Sequence, residues 1–226
     1  YARACQLETR SLQGDTPAAT RGLRELVAAA PAAAQRSWLL SLLAEHLERA
    51  GDDDAAARAY QESLTQEADL YTAIAYSDLL LRTGRPAPAL QALAGLPDTD
   101  AVLLRRAAAW RRSGDTQWVA TRATLRERMA ELVRRGDDPS LHGRERALAA
   151  LWLDDDAPGA LALARANLQL QREPVDWWVA VASAQAARDA DALVQIRKAL
   201  QATGLQDVRL TRLGNRAAAP ATRAGP

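Results

Sequence analysis

Phenylalanine is absent from this chain of 226 residues, and six Trp and four Tyr bring the aromatic share to only 4%. Alanine, leucine and valine must therefore fill the core, which suits closely packed helices better than a β-sandwich. Windows that alternate apolar and polar residues, as half-buried strands do, are also short. Because the hydrophobic share is still 48%, the composition predicts an all-α protein with an ample core.

Cysteine and long apolar runs are equally scarce. Cys5 is the single cysteine, which excludes an intramolecular disulfide and any metal site built on cysteines. No run of about 18 apolar residues occurs, so no helix is expected to span a membrane. The 29 basic and 28 acidic residues leave a formal charge of +1. This balance provides no general attraction for nucleic acid, and no nucleic-acid partner is expected.

What the chain does contain is a recurring turn. A glycine followed by a polar residue returns every 30 to 37 residues, each time between two segments rich in alanine and leucine. This period is typical of proteins in which each repeat is one helical hairpin. The turns are Gly14-Asp15, Gly51-Asp52, Gly84-Arg85 and Gly114-Asp115.

The spacing predicts an α-solenoid of about six hairpins over residues 1–211, followed by an irregular tail over 212–226. In the fifth hairpin, Asp154-Asp155-Asp156 stand where the earlier turns have glycine. We expect this triplet to cap the next helix, because it lacks the alternating acids and central glycine of a calcium-binding loop. The hairpins are expected at about 1–31, 32–68, 69–97, 98–136, 138–173 and 174–204.

The second hairpin has Ala44 in its first helix, and Ala56 and Tyr60 four positions apart in its second helix. These residues match the small and aromatic positions of a tetratricopeptide repeat (TPR), which the hairpin resembles. Hairpin five is similar through Ala160 and Ala164. This resemblance implies a right-handed superhelical solenoid of TPR-like hairpins.

A narrower resemblance concerns short segments. Similar segments occur in an uncharacterised bacterial TPR family, and those of this chain include Ala75-Tyr76-Ser77-Asp78-Leu79-Leu80-Leu81, Arg135-Gly136-Asp137, His142-Gly143-Arg144-Glu145-Arg146-Ala147 and Gln171-Arg172-Glu173-Pro174-Val175-Asp176. The resemblance implies a bacterial protein, with export slightly favoured over the cytoplasm because members are often exported. It implies no activity.

Few residues indicate chemistry. His142 and Glu145 have the i, i+3 spacing that helical di-metal proteins use, but the second Glu-x-x-His that such a site needs is missing. His46 lies opposite the leucine stripe of its helix, so we expect it to be exposed. Phosphate-binding glycine loops, nucleophile elbows and His-Cys pairs are also missing. The sequence therefore predicts no metal, no cofactor and no enzyme activity.

In the repeats that this chain resembles, the first helix of each hairpin lines a concave groove. Arginines beside tryptophan and tyrosine in such a groove suit an acidic peptide. Two simpler interpretations stay open: the tryptophans fill gaps between repeats, and the arginines cover a solvated helix face. The resemblance assigns to the groove Trp38, Glu45, Tyr71, Asp78, Arg82, Arg111, Arg112, His142, Glu145 and Trp152.

The favoured function is a non-catalytic scaffold that presents the groove to a protein or peptide partner. The alternative is a structural segment of a larger repeat protein or assembly, packed end to end on further repeats. The start at Tyr1 rather than Met fits that alternative, because it indicates a removed leader or an excised piece. A third hypothesis is a ligand-binding protein or enzyme that uses the interior of the superhelix, with Asp78, Arg82, His142 and Glu145 as candidates.

Overall fold

The computed structural model describes residues 1–216, apart from the side chains of residue 139 and residues 214–216. Within this range the chain forms α-helices and one short 3-10 helix at Pro139–His142, and no strand, so the all-α prediction is confirmed. None of these helices has both the length and the apolar character required to cross a membrane. The helices are α1 Ala2–Leu12, α2 Thr16–Ala29, α3 Ala33–Ala50, α4 Asp53–Gln66, α5 Leu70–Arg82, α6 Pro86–Ala92, α7 Asp100–Arg112, α8 Gln117–Arg134, α9 Gly143–Trp152, α10 Ala157–Asn167, α11 Pro174–Ala186, α12 Ala190–Thr203 and α13 Val208–Arg216.

Consecutive helices pair as hairpins, from α1 with α2 through α11 with α12. The turn between α3 and α4 shows how the sequence directs this arrangement. Gly51 ends α3 in the left-handed conformation, with φ of 84°, which glycine adopts without the steric cost of a Cβ. The Asp52 carboxylate then accepts a hydrogen bond of 3.0 Å from the Ala55 N–H at the start of α4.

The fifth hairpin makes the same turn without glycine. Asp155 takes the left-handed conformation with φ of 53°, a region that aspartate tolerates better than most residues. Asp156 accepts a hydrogen bond of 2.9 Å from the Gly159 N–H at the start of α10. The prediction that this acidic triplet supplies a helix cap is confirmed.

The hairpins form two layers. The first helices contact one another in order, α1 with α3, α3 with α5, α5 with α7, α7 with α9 and α9 with α11. The second helices pack on the other side and, except for α8 and α12, contact the first helices of two successive hairpins. Much of the core is small: Ala44 and Ala56 are fully buried, as is Tyr60, the largest side chain with no exposure. Alanines at these contacts allow the helices to approach closely.

The last helix brings the two ends of the chain together. Helix α13 packs on α11 and on α3, and just before it the Gln206 N–H donates to the Leu12 carbonyl oxygen at 2.8 Å. Arg212 donates to the Gly51 carbonyl oxygen at 3.0 Å. The helices α3, α5, α7, α9, α11 and α13 therefore form a closed ring, which we call the inner ring.

The course of α13 differs from the predicted irregular tail, which was placed over 212–226. The helix continues through Arg216, because Leu210 is buried and Leu213 packs beside it against the core. Residues 217–226 of the predicted tail lie outside the described residues.

Two turn glycines provide a test of ring closure. Gly51 and Gly114 both have positive φ, of 84° and 75°, so replacement by alanine strains either turn by about 1–2 kcal/mol. Open space surrounds Gly114, but a Cβ at Gly51 would lie 2.8 Å from Val208 Cγ1 of α13. We expect Gly51→Ala to lower the free energy of unfolding in a urea titration clearly more than Gly114→Ala. Equal losses would mean that α13 does not pack on this turn in solution.

Candidate functional site

A cavity of about 510 Å³ lies inside the inner ring. Its volume is within the range of small-ligand sites, roughly 300–1,000 Å³. The wall is formed by side chains of α1, α3, α4, α5, α7, α9, α11 and α13. Its apolar part consists of Leu12, Ile74, Ala75, Ala101, Leu148, Trp152, Pro174, Val175 and Trp178.

Six of the ten residues assigned to the groove line this cavity. They come from α3, α5 and α9, which are separated in sequence and belong to the same ring, with α7 between α5 and α9. The first helix of each hairpin does therefore face the interior at these positions. The six are Glu45, Tyr71, Asp78, Arg82, Glu145 and Trp152.

The other four residues lie outside the cavity. Trp38 packs against Tyr1, with ring centroids 5.1 Å apart. Arg111 donates to the Trp152 carbonyl oxygen at 2.7 Å and pairs with an acid of the α9–α10 turn. Arg112 lies over the Trp152 ring, 5.2 Å from its centroid. His142 ends the 3-10 helix and lies beside α8.

The ten assigned residues omit several charged residues that line the cavity. Arg49 carried a usable signal, because it stands two positions before its turn glycine, as Arg82 does in the next hairpin. Arg209 carried none, since its partner is 161 residues away in the chain. The charged residues missed are Glu8, Glu48, Arg49, Arg105, Arg144, Glu173 and Arg209.

Ion pairs between neighbouring inner helices surround the cavity. The Arg105 guanidinium of α7 donates to both carboxylate oxygens of Asp78 of α5, at 2.9 and 2.8 Å. Arg82 of α5 binds Glu48 of α3 at 2.9 Å. Only 2% of Arg105 is exposed. A guanidinium buried to this degree requires a carboxylate partner, since an unpaired buried charge is costly.

The remaining lining arginines are paired in the same way. Arg49 binds Glu8 of α1 at 2.7 Å, and Arg209 of α13 binds Glu48 at 3.1 Å. Arg144 of α9 binds Asp176 of α11 through two bonds of 2.7 and 2.9 Å. All five lining arginines in the described chain therefore have a carboxylate partner.

Three lining carboxylates are not fully engaged. Glu45 accepts one hydrogen bond of 2.8 Å from the Tyr71 hydroxyl and lies 3.8 Å from the Arg49 guanidinium. Burial raises the pKa of Glu45 to about 7. Glu8 Oε2 is buried without a hydrogen-bond partner among the described residues, and burial raises the pKa of Glu8. Glu145 has neither a hydrogen bond nor an ion pair with the described part of the chain.

Comparison of the chain with protein-family models finds no match, and comparison with curated proteins finds none either. In residues 1–216, no group of three or more His, Cys, Asp or Glu side chains is arranged to hold a metal ion. The geometry of the cavity is therefore the main guide to function.

The expectation that His46 is exposed is wrong. Only 1% of His46 is exposed, because α1 and α2 cover the face of α3 opposite the leucine stripe. Its Nε2 lies 2.7 Å from Thr20 Oγ1 and its Nδ1 lies 2.7 Å from Ser11 Oγ. Burial, assisted by the positive charge of Arg49, lowers the pKa of His46 to about 4.

His46 is predicted to make the protein less stable in acid. Between about pH 6.5 and 4 the unfolded chain binds a proton that the folded chain does not, so the free energy of unfolding falls as the pH falls. Glu45, with its pKa raised to about 7, gives the opposite slope. The comparison with His46→Gln isolates the histidine: the stability of the wild type relative to this variant should decrease from pH 7 to pH 4.

An NMR titration checks the same assignment directly. The chain has two histidines, so His142→Gln leaves His46 as the single imidazole signal of the native sequence. A midpoint near the ordinary value of about 6.5 would contradict the buried position.

Among these ion pairs, we expect the largest loss in the free energy of unfolding when the carboxylate of the Arg144–Asp176 pair is neutralised. Asp176 is fully buried and also accepts hydrogen bonds from Asn167 and from the Glu173 N–H. Asp176→Asn leaves the Arg144 guanidinium with only the exposed Glu173 as a charged partner and should lower the free energy of unfolding by about 3 kcal/mol, the low end for breaking a buried pair. The control is Glu25→Gln, which removes an exposed pair with Arg3 and should cost less than about 1 kcal/mol. Similar losses in the two variants would contradict this difference in burial.

Proposed function

We propose that this protein is a non-catalytic scaffold that binds a peptide segment of a partner protein in its central cavity. The single observation that carries the proposal is the cavity of about 510 Å³ inside the inner ring. It combines an apolar wall with a few polar groups that can fix the orientation of a ligand, as binding sites commonly do.

The side chains of the wall favour binding over catalysis. The lining residues of the described chain include no serine, threonine, cysteine, histidine or lysine. Nucleophilic catalysis usually begins with such a side chain beside a general base. The ionisable groups present are carboxylates, guanidiniums and tyrosine hydroxyls, and the guanidiniums are held in ion pairs that also join neighbouring helices.

We also propose that the hairpins form a right-handed solenoid of TPR-like units. The burial of the positions that carry the resemblance supports this proposal. Ala44, Ala56 and Tyr60 of the second hairpin have no exposed surface. Ala160 and Ala164 of the fifth hairpin are also buried. Small side chains at these positions let the two helices of one hairpin approach, while Tyr60 reaches the wall of the cavity.

The alternative function is a structural segment that packs end to end on further repeats. The position of α13 makes this less favourable. It packs on α11, on the side where another first helix would stack, and it also contacts α3. Its Arg209 binds Glu48 at 3.1 Å, so a further repeat would have to displace an ion pair inside the ring.

A cavity-filling substitution tests the proposed function. Ala101 lines the cavity from the first turn of α7, so Ala101→Trp places an indole in the space meant for the peptide. Random short peptides displayed on phage are selected on the wild-type protein, and the affinity of the enriched peptides is measured by calorimetry. We expect Ala101→Trp to weaken their binding at least about tenfold, because the cavity no longer admits the ligand.

Two further variants control this experiment. Ala120→Trp adds the same side chain at an exposed position of α8 and should leave binding unchanged. Val175→Trp fills the cavity from α11 and replaces Ala101→Trp if that variant loses its helical circular dichroism. Peptides that bind both filled variants as well as the wild type, or a selection that enriches none, would overturn the proposed site.

A further inference from the structure

The charges around the cavity indicate what kind of group it receives. We propose that this group is a cation, the ammonium or guanidinium of a lysine or arginine side chain on the bound peptide. This inference rests on the proposed function and adds the chemistry of the ligand to it. The expected sign is opposite to that of the acidic peptide that the sequence suggested.

The first argument is that the lining arginines are already engaged. Two guanidinium N–H groups of Arg105 donate to the Asp78 carboxylate. Those of Arg144 donate to the carboxylates of Asp176 and Glu173. An anionic ligand would have to compete with these internal carboxylates for a guanidinium. To bind one of these arginines, the anionic ligand would have to displace a carboxylate that already forms a bidentate pair with it.

The other three arginines are occupied in the same way. Arg82 binds Glu48 and Asp53, both within 3.0 Å. Arg209 binds Asp207 as well as Glu48. Arg49 binds Glu8 and also donates to a serine hydroxyl. The cavity therefore offers an anion no lining guanidinium without a partner in the described chain.

The second argument is the spare capacity of the acids. Glu8 Oε2 is buried and accepts no hydrogen bond from the described residues. Glu45 accepts a single hydrogen bond, from Tyr71. Glu145 lines the cavity and accepts none from residues 1–216. Carboxylates hold up to four acceptor sites, so these three groups can receive the N–H donors of an incoming cation.

The third argument is the local balance of charge. Six carboxylates line the cavity, against five guanidiniums. The lining therefore has a small excess of acid, whereas the chain as a whole carries a formal charge of +1. A concave site with an excess of one sign attracts ligand groups of the opposite sign.

Arg112 differs from the five arginines that line the cavity. It has no carboxylate partner among the described pairs, but it does not line the cavity, and its guanidinium lies over the Trp152 ring. An acidic ligand that bound Arg112 without entering the cavity would bind the cavity-filling variants as well as the wild type.

The apolar wall fits the stem of the same ligand group. Ile74, Leu148 and Trp178 line the cavity together with the three spare carboxylates. Lysine and arginine combine a methylene stem with a charged end, and they commonly bury the stem along apolar surface. A small hydrophilic cation would leave this part of the wall uncovered.

The test uses the selected peptides and one matched pair of variants. Glu145→Gln removes the charge of an acid that makes no hydrogen bond or ion pair in the described chain, so the fold should tolerate it. Glu62→Gln removes an exposed charge on α4, outside the cavity. We expect the selected peptides to be enriched in lysine or arginine. Glu145→Gln should weaken their binding about tenfold and Glu62→Gln less than about twofold, because a charge-assisted hydrogen bond is lost in one case only.

A second substitution, in the peptide, completes a double-mutant cycle. Replacing the enriched basic residue by glutamine should weaken binding to the wild type about tenfold and binding to Glu145→Gln clearly less. Additive losses would mean that the cation does not contact this acid, and they would overturn the assignment. A calorimetric titration with 1,5-diaminopentane distinguishes a free amine from a peptide side chain as the source of the cation.

The outcomes separate this inference from the proposed function. Acidic or neutral peptides that are blocked by Ala101→Trp would overturn the cationic ligand and keep the peptide-binding cavity. Binding of the diamine with the same dependence on Glu145, without any peptide, would keep the cation and overturn the peptide scaffold. Basic peptides that still bind the filled variants would overturn both.

Discussion

The structure depends on ion pairs that join one inner helix to the next. Arg49 joins α3 to α1, Arg82 joins α5 to α3, and Arg105 joins α7 to α5. Arg144 joins α9 to α11, and Arg209 joins α13 to α3. A buried guanidinium without its carboxylate is strongly unfavourable, so each inner helix has few positions along its neighbour at which it can pack.

The small core makes these pairs decisive. Alanine at the helix contacts brings the backbones close together. Such small side chains do little to fix how far one helix is shifted along the next. Tyr60 is the largest side chain without exposure, and its hydroxyl donates to Glu48 Oε2 at 3.0 Å. Glu48 thus accepts from α4, α5 and α13 together. One carboxylate holds the hydroxyl of the core, the neighbouring inner helix and the closing helix in a single arrangement.

The hairpins could be predicted from the sequence because their signals are local. Gly51 followed by Asp52 describes both the end of one helix and the cap of the next within a few residues. The acids of the fifth turn could be read in the same way, since Asp155 replaces glycine where its side chain tolerates positive φ. These features depend on backbone sterics and unpaired N–H groups, which neighbouring residues determine.

The site was only partly predictable because it depends on contacts that are distant in sequence. The facing of Glu45 and Asp78 followed from the resemblance to TPR hairpins, but nothing near Arg209 indicates a partner 161 residues away. His46 was misjudged for a related reason. Helix α3 is covered on more than one side, by α1, α2, α4, α5 and α13, and a single apolar stripe cannot reveal that a second face is buried.

The return of α13 to α3 changes how the repeats share their stability. In an open array each unit contacts only its neighbours, so terminal units fray first and the array behaves as a one-dimensional chain. Here α13 packs on α11 of the sixth hairpin and on α3 of the second, and Gln206 just before it donates to the Leu12 carbonyl oxygen of the first hairpin. Opening the molecule at either terminus breaks contacts at the other, so the fraying of one end is thermodynamically coupled to that of its opposite. The terminal helices are therefore not expected to fray independently of each other. The repeats are expected to unfold with higher cooperativity than those of an open array of equal length.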